Sequence, residues 1–402
     1  MDRVSRWPLD WNHFASNGVS KVDTNRIVPD LCGYLFRCHA SSLSFLFSAC
    51  PCPPLDGKNV IPKPDRVCAD LTPAQATMVR EGVALHDARR YDEAIAKYQQ
   101  VLAEEPWLVT ALHELSYSYF ESRRFSEALE VGMRGVQCRT EGPSQFPILI
   151  GNALDELGRS KEAIAVYEEA IRRAPEQAMP RYNLAVALQR AGRLPQAKAA
   201  VQRALALNPT HAGSHAVLGD VYRQMGYRIP AALAYARFLQ LEPEGPRAKK
   251  ALPLLEAALA GNVTQGEDAN HIKITMVETR KSLKDEGDFG PAELMISIVK
   301  AGDLIVDASK EAPKKSTPFE KRASLVSVFC EALANSHPKG GFAAKFYAPY
   351  FAALQKAGHA EALAARVWQA APVEGQMEWA KENGTKMDAL AAWSADYAWT
   401  GQ

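Results

Sequence analysis

Histidines and carboxylates supply the first candidates for chemistry. His211 and His215 stand four residues apart, with Asp220 nearby. On a helix that interval places two imidazoles on one face, an arrangement that can hold a metal ion. His113-Glu114 sets an imidazole beside a carboxylate, and Asp155-Glu156 and Glu168-Glu169 are adjacent carboxylates of the kind used in acid–base work. Each also has a structural reading. His215 falls on a position that the periodic pattern described below uses for packing. His113-Glu114 reads as a helix-surface pair, and the carboxylate pairs lie among opposite charges that solvate them. Among the cysteines, the C-x5-C from Cys32 to Cys38 and the C-x-C from Cys50 to Cys52 lack the paired CxxC spacing of a structural zinc site. The chain has no P-loop, GxGxxG, HExxH or GxSxG. The sequence therefore names no catalytic residue, no cofactor and no metal ligand, and the expectation is a protein without catalysis of its own.

The elements that would position any site are set by a period. Ala94, Ala128, Ala163, Ala197 and Ala231 follow one another at steps of 34, 35, 34 and 34 residues. Twelve residues before each alanine sits a small residue: Gly82, Ser116, Gly151, Ala185 or Gly219. Four residues after come Tyr98, Gly132, Tyr167, Val201 or Tyr235, and twelve after come Pro106, Thr140, Pro175, Pro209 or Pro243. Small residues let two helix backbones approach, apolar positions at i, i+3 and i+4 give each helix one buried stripe, and proline ends the second helix without an interior cost. Gly158, Gly192 and Gly226 fall between the helices, where a left-handed turn residue is needed. The second unit is irregular. Gly132, Gly135 and Thr140 replace its aromatic, alanine and proline, and the extra residue of the longer step lies near Glu141-Gly142-Pro143.

This pattern resembles the tetratricopeptide repeat (TPR), W-x2-L-G-x2-Y, then A-x3-F, then P. It lacks the first tryptophan, since Met78, Leu112, Pro147, Arg181 and His215 stand there. The resemblance covers residues 75–245. It implies an all-α fold, a TPR-type right-handed α-solenoid of about five helical hairpins, with units at 75–108, 109–143, 144–177, 178–211 and 212–245. It also implies that the first helix of each unit lines a concave face on which relatives bind extended peptides or partner helices. The inward residues are then His113, Tyr117, Phe120, Asn152, Asp155, Tyr182, Asn183, Arg190, Asp220 and Arg223, with Val79, Val83 and Val186. Asn152 and Asn183 can each offer donor and acceptor to a peptide backbone, and Tyr117, Phe120 and Tyr182 can supply aromatic contact area. The alternative for each is packing between units. The lysine, asparagine and arginine with which one subgroup grips a C-terminal carboxylate are replaced by Val79, Val83, Glu114, Gln145 and Leu149, so that clamp is absent.

The flanks are less regular. The 402 residues carry a net charge of +1, so no bulk field draws the chain to nucleic acid or anionic lipid. Five of the seven cysteines crowd residues 1–70, whereas Cys138 and Cys330 read as buried free thiols. Residues 1–70 have two readings. One is an export signal, with the apolar run 43–50 ending in a lipidated Cys50. The other is a disordered leader on a cytoplasmic protein, which Asp2, Asp10, Asp23 and Asp30 favour. No stretch is long and apolar enough to span a bilayer. Beyond the repeats, residues 246–260 read as a capping helix, 261–291 as a linker with a brief β-branched run at 272–276, and 292–402 as a C-terminal helical domain. Its candidate helices are 292–309, 318–336, 342–356, 361–370, 374–383 and 386–399. Tyr347, Leu354 and Gly358 fall on repeat offsets for one degenerate hairpin. The four tryptophans from Trp368 to Trp399 suit a small aromatic core. The function expected is a scaffold or adaptor binding a protein or peptide partner in the concave groove. The alternatives are an exported envelope lipoprotein aiding assembly or secretion of a larger complex, and an enzyme whose site lies in the C-terminal domain.

Overall fold

Each alanine station is a point where two helix backbones touch. All five alanines are at most 1% exposed in the computed structural model, which describes residues 60–260, 263–265, 272–276, 280–308 and 316–399. Five hairpins follow in order: α1 (Pro73–Asp87) with α2 (Tyr91–Glu104), α3 (Val109–Glu121) with α4 (Phe125–Gly135), α5 (Phe146–Glu156) with α6 (Ser160–Arg173), α7 (Ala178–Arg190) with α8 (Leu194–Leu207), and α9 (Ala212–Gln224) with α10 (Arg228–Leu241). Among the described residues the fold is all-α, apart from two short strands. Tyr98, Tyr167 and Tyr235 lie flat against Gly82, Gly151 and Gly219, and a Cβ at Gly219 would stand 2.7 Å from the Tyr235 ring. The turn station is left-handed throughout. Gly158, Gly192 and Gly226 hold it at φ of 71° to 78°, and Arg89 and Arg123 hold it in the first two units at 60° and 63°. The array opens on a capping box, with Thr72 and Gln75 exchanging side-chain and backbone bonds around Pro73.

The second unit is irregular because something docks there. Its second helix, α4, has 11 residues, against 14 in the second helix of each other unit. Gly135 leaves its space to the Phe146 ring, and Gly132 leaves its space to Ile150. Past the shortened helix, Arg66 pairs with the backbone in parallel fashion, donating to Gln137 O and accepting from Arg139 N. Beside it Cys68 and Cys138 form a disulfide. Cys138 is therefore not a free thiol, which corrects the sequence reading; Cys330 is free and buried. The boundary expected at residue 70 also moves. Ile61 is buried, Arg173 donates to the carbonyls of Ile61 and Pro62, and the Arg66 guanidinium lies 3.8 Å over the Trp107 ring. Residues 60–68 are thus a strap across the outer ends of units two and three. The expectations for residues 1–59, including a lipid anchor at Cys50, lie outside the described residues.

After the fifth hairpin, α11 (Gly245–Leu259) packs on α10 through Ala248, Leu252 and Leu255. The stretch 261–291, expected to be a linker with a brief β-branched run at 272–276, carries more structure than that run. Strand β1 (Val263–Gln265) pairs antiparallel with β2 (Ile272–Ile274), with Val263 opposite Ile274, and α12 (Arg280–Glu286) follows. The chain then forms α13 (Gly290–Ala308), α14 (Pro318–Ser336), α15 (Phe342–Lys356), α16 (Ala360–Val367), a 3-10 turn at Trp368–Ala370, α17 (Gln376–Glu382) and α18 (Gly384–Asp396). Gly358 does hold a left-handed turn, but α15 and α16 pack chiefly on α14, so they do not form a sixth repeat hairpin. Helices α15 and α16 also pack on α10. Hence α10 is buried along almost its whole length.

Candidate functional site

The first helices of adjacent units touch one another, α1 with α3, α3 with α5, α5 with α7 and α7 with α9, while the second helices stand further apart. The first-helix side is therefore the inner wall of the curve. The described inner wall divides into residues that stitch neighbouring units and residues that face outward from the stitching.

Asn152 and Asn183 belong to the first group. Both are buried; Asn183 Nδ2 donates to Asn152 Oδ1 at 3.2 Å, which also accepts from the Tyr167 hydroxyl at 2.6 Å. They join α5 to α7, the packing alternative of the sequence reading, while Asn152 Nδ2 and Asn183 Oδ1 are buried without a partner among the described residues. Tyr182 is buried with its ring edge-on to His211 at 4.7 Å, and Phe120 is buried against Phe125. Neither supplies open aromatic area. His215 is fully enclosed: its Nε2 donates to Pro209 O at 2.9 Å, so its Nδ1 accepts from Tyr347 OH at 2.7 Å. Burial and the Arg237 charge hold this imidazole neutral, well below its usual titration range. Among the described residues no group of three or more His, Cys, Asp or Glu can hold a metal ion, and His211 instead caps α9 through Ser214 N.

The second group is more open. Tyr117 is half-buried and stacks on His86 across the α1–α3 contact at 4.7 Å. His113 is half-exposed and meets Phe146 edge-on at 5.8 Å. Asp155 accepts from Arg190 Nη1 at 2.6 Å, with Glu156 3.6 Å from the same nitrogen, joining α5 and α7 by charge. Asp220 accepts from the Tyr235 hydroxyl at 2.6 Å; burial raises its carboxyl above the usual range, opposed by that bond and by the charge of exposed Arg223. Sequence reasoning missed Glu121, and it read Glu114 as a surface neighbour of His113 and as a replacement at a clamp position. With Tyr117 they form an i, i+3, i+7 stripe down α3, and that spacing was the available signal. Burial raises the Glu121 carboxyl, opposed by a hydrogen bond from Tyr117.

The family profile for the tetratricopeptide repeat matches residues 79–143, 148–212 and 182–246. The hairpins, their glycine–tyrosine contacts and this match agree. Residues 79–246 are a TPR array. TPR repeats make it a protein–protein interaction scaffold in general terms, and the family is generally non-catalytic. A stretch of 71 residues is 41% identical to anaphase-promoting complex subunit 7 of Homo sapiens, covering 18% of this chain and 12% of that protein. An alignment of 76 residues is 36% identical to the TPR repeat-containing thioredoxin TTL4 of Arabidopsis thaliana, covering 19% of this chain and 11% of that protein. The chain thus spans only a small part of the curated relatives it matches. Among solved structures, a thermophilic TPR protein of Thermus thermophilus is 25% identical over 46% of this chain and 98% of its own, with a TM-score of 0.39. Pseudomonas aeruginosa pilF is 19% identical over 46% and 82%, with a TM-score of 0.41. No described helix is long and apolar enough to cross a membrane.

Proposed function

We propose that the TPR array holds a peptide or partner helix along the inner wall of its first four units. The observation that carries this is the α3 stripe, where half-buried Tyr117 sits between Glu114 and Glu121 on the concave side. A rigid aromatic flanked by carboxylates suits a partner that presents an apolar side chain next to a basic one. The fifth unit is less available, because α9 engages the C-terminal helices through His215 and Tyr222. His113, Asp155 and Arg190 complete the polar lining of these four units, with Asp220 and Arg223 of α9 beyond its end; the enclosed Phe120, Asn152, Tyr182 and Asn183 support it from behind. Repeat packing fixes this wall before a partner arrives, which lowers the ordering cost of binding.

The test is site-specific photo-crosslinking in native cells, with the probe at His113 or Arg190 and, as the outer control, at exposed Lys161. Partner capture from the inner positions and not from Lys161 supports the groove. Tyr117→Ala should then weaken that partner about 30-fold or more, as loss of an aromatic hot spot does. Capture from Lys161 alone moves the interface to the outer face.

The Cys68–Cys138 bridge favours a second reading of the compartment. Disulfides persist in oxidising surroundings, which fits an exported scaffold acting on an envelope assembly. Thiol labelling of the native protein before and after reduction decides it: two labels gained on reduction support export, and full labelling without reductant opposes it.

A further inference from the structure

Arg237 on α10 is fully buried, and none of the charges that act on it is a carboxylate. Its Nη1 donates to Gln240 Oε1 at 2.9 Å and to Tyr350 OH and Ser394 Oγ at 2.8 Å each. Among the described residues its Nε and Nη2 have no partner, nor have Gln240 Nε2 and Trp399 Nε1, and all four nitrogens are sealed from solvent. The Gln240 amide cannot be turned round to relieve this, because Oε1 already accepts from both Arg237 and Tyr350. The four nitrogens belong to one cluster. The guanidinium lies 4.7 Å over Tyr350 and 5.2 Å over Trp399, and those two rings stack at 4.8 Å and 7°.

The cluster thus holds one positive charge and a surplus of N–H donors, without an anion among the described residues to receive them. A buried guanidinium left in that state is strongly disfavoured. Cation–π contact with Tyr350 and Trp399 offsets part of the cost and satisfies none of the hydrogen bonds. The unpartnered Nε–H and Nη2–H lie along one edge of the guanidinium as a fork that matches the two oxygens of a carboxylate. Neighbouring His215 adds no competing charge, since both its nitrogens are engaged in the neutral form. The surrounding wall is aromatic: Trp393 and Tyr397 lie 5.2 Å and 4.9 Å from Tyr350. Aromatic walls favour an anion carried on an apolar body over a free inorganic one.

We propose that this cluster, formed by α10, α15, Ser394 of α18 and residues 397–399, binds the carboxylate of a small aromatic acid. Arg237 grips both oxygens through its free fork, and Gln240 Nε2 and Trp399 Nε1 complete the donor set. Trp399, half-buried on the segment after α18, is the movable wall. It shifts outward to admit the acid's ring beside Tyr350 and turns its indole N–H to the carboxylate.

Phenylacetate titrated into the full-length protein, read by tryptophan fluorescence and calorimetry, tests this. Saturable binding with a change in tryptophan emission is expected, and phenylacetamide, which lacks the charge, should not bind. Trp399→Phe should weaken binding about ten-fold through loss of one charge-assisted bond. Arg237→Met should abolish it. Arg237→Lys, which keeps the charge and loses the fork, should weaken it at least ten-fold and covers the case in which the methionine variant does not fold. Equal binding of the amide, unchanged affinity in Arg237→Lys, or no saturable response overturns the site. A response to inorganic phosphate with none to phenylacetate overturns the assignment to an aromatic acid.

Discussion

His215 shows how burial converts a would-be metal ligand into a packing group with a measurable pH signature. The unfolded chain takes up its proton near pH 6.5, while the enclosed imidazole resists protonation until well below that. Between those values unfolding binds a proton. The stability from the neutral imidazole is complete above about pH 6.5 and is lost as pH falls, at about 1.4 kcal/mol per pH unit. In urea unfolding, the loss between about pH 7.5 and about pH 5.5 should shrink by roughly 1.4 kcal/mol in His215→Gln relative to the parent. Equal losses in the two proteins would mean that the folded imidazole is already charged. Arg89 makes a second residue-scale case. It holds a left-handed turn at φ 60° in the place that Gly158, Gly192 and Gly226 fill in later units. A side chain there strains the backbone by about 1–2 kcal/mol, while glycine gives back part of that as unfolded-chain entropy. Arg89→Gly should therefore raise the unfolding free energy by about 0.5–1 kcal/mol, and a lower melting temperature would show that the Arg89 side chain contributes more than its backbone costs.

At the scale of elements, the strap and α4 explain each other. The helix stops three residues short of its counterparts, and the freed edge takes the Arg66 backbone and the Cys68–Cys138 bridge, which closes a 70-residue separation. Closing a loop of that length stabilises by about 2–4 kcal/mol. Cys68→Ser with Cys138→Ser should lose that amount and expose residues 60–68 to limited proteolysis; unchanged stability and unchanged cleavage would show that the strap is held by Arg66, Trp107 and Arg173 alone. The period made the hairpins legible because each alanine, glycine and tyrosine station repeats its contact along the array. The same pattern marked the second unit as irregular and was silent on the cause, since Cys68 and Cys138 share no local spacing. Helices 318–336 and 342–356 were readable from their proline and glycine borders. The candidate site was legible only by position. Asn183 and Arg190 both lie on the same first helix, yet one is enclosed between units and the other is exposed, and that difference depends on what the next unit brings. The Arg237 cluster had no signal at all, because its members lie up to 162 residues apart in sequence.

At the scale of the whole molecule, Glu286 at the end of α12 governs how the C-terminal helices meet the array. It is 1% exposed and accepts from Lys198 Nζ at 2.7 Å, Gln202 Nε2 at 3.3 Å, Tyr222 OH at 2.8 Å and Ala343 N at 2.9 Å. One carboxylate thus joins α8, α9, α12 and α15. Replacing it by an amide leaves Lys198 without its closest carboxylate and turns an N–H towards other donors, a change costing about 3 kcal/mol. In a stack of repeats such a loss is felt by nearest neighbours and fades along the array. Hydrogen exchange on Glu286→Gln should therefore speed up in α8, α9, α12 and α15, speed up less in α7, and stay unchanged in α1 to α4. In the parent protein α10, enclosed on nearly every side, should exchange last. Faster exchange spread evenly from α1 to α15 would mean that array and C-terminal helices unfold as one cooperative block. Glu286 would then be an ordinary buried group instead of the joint between them.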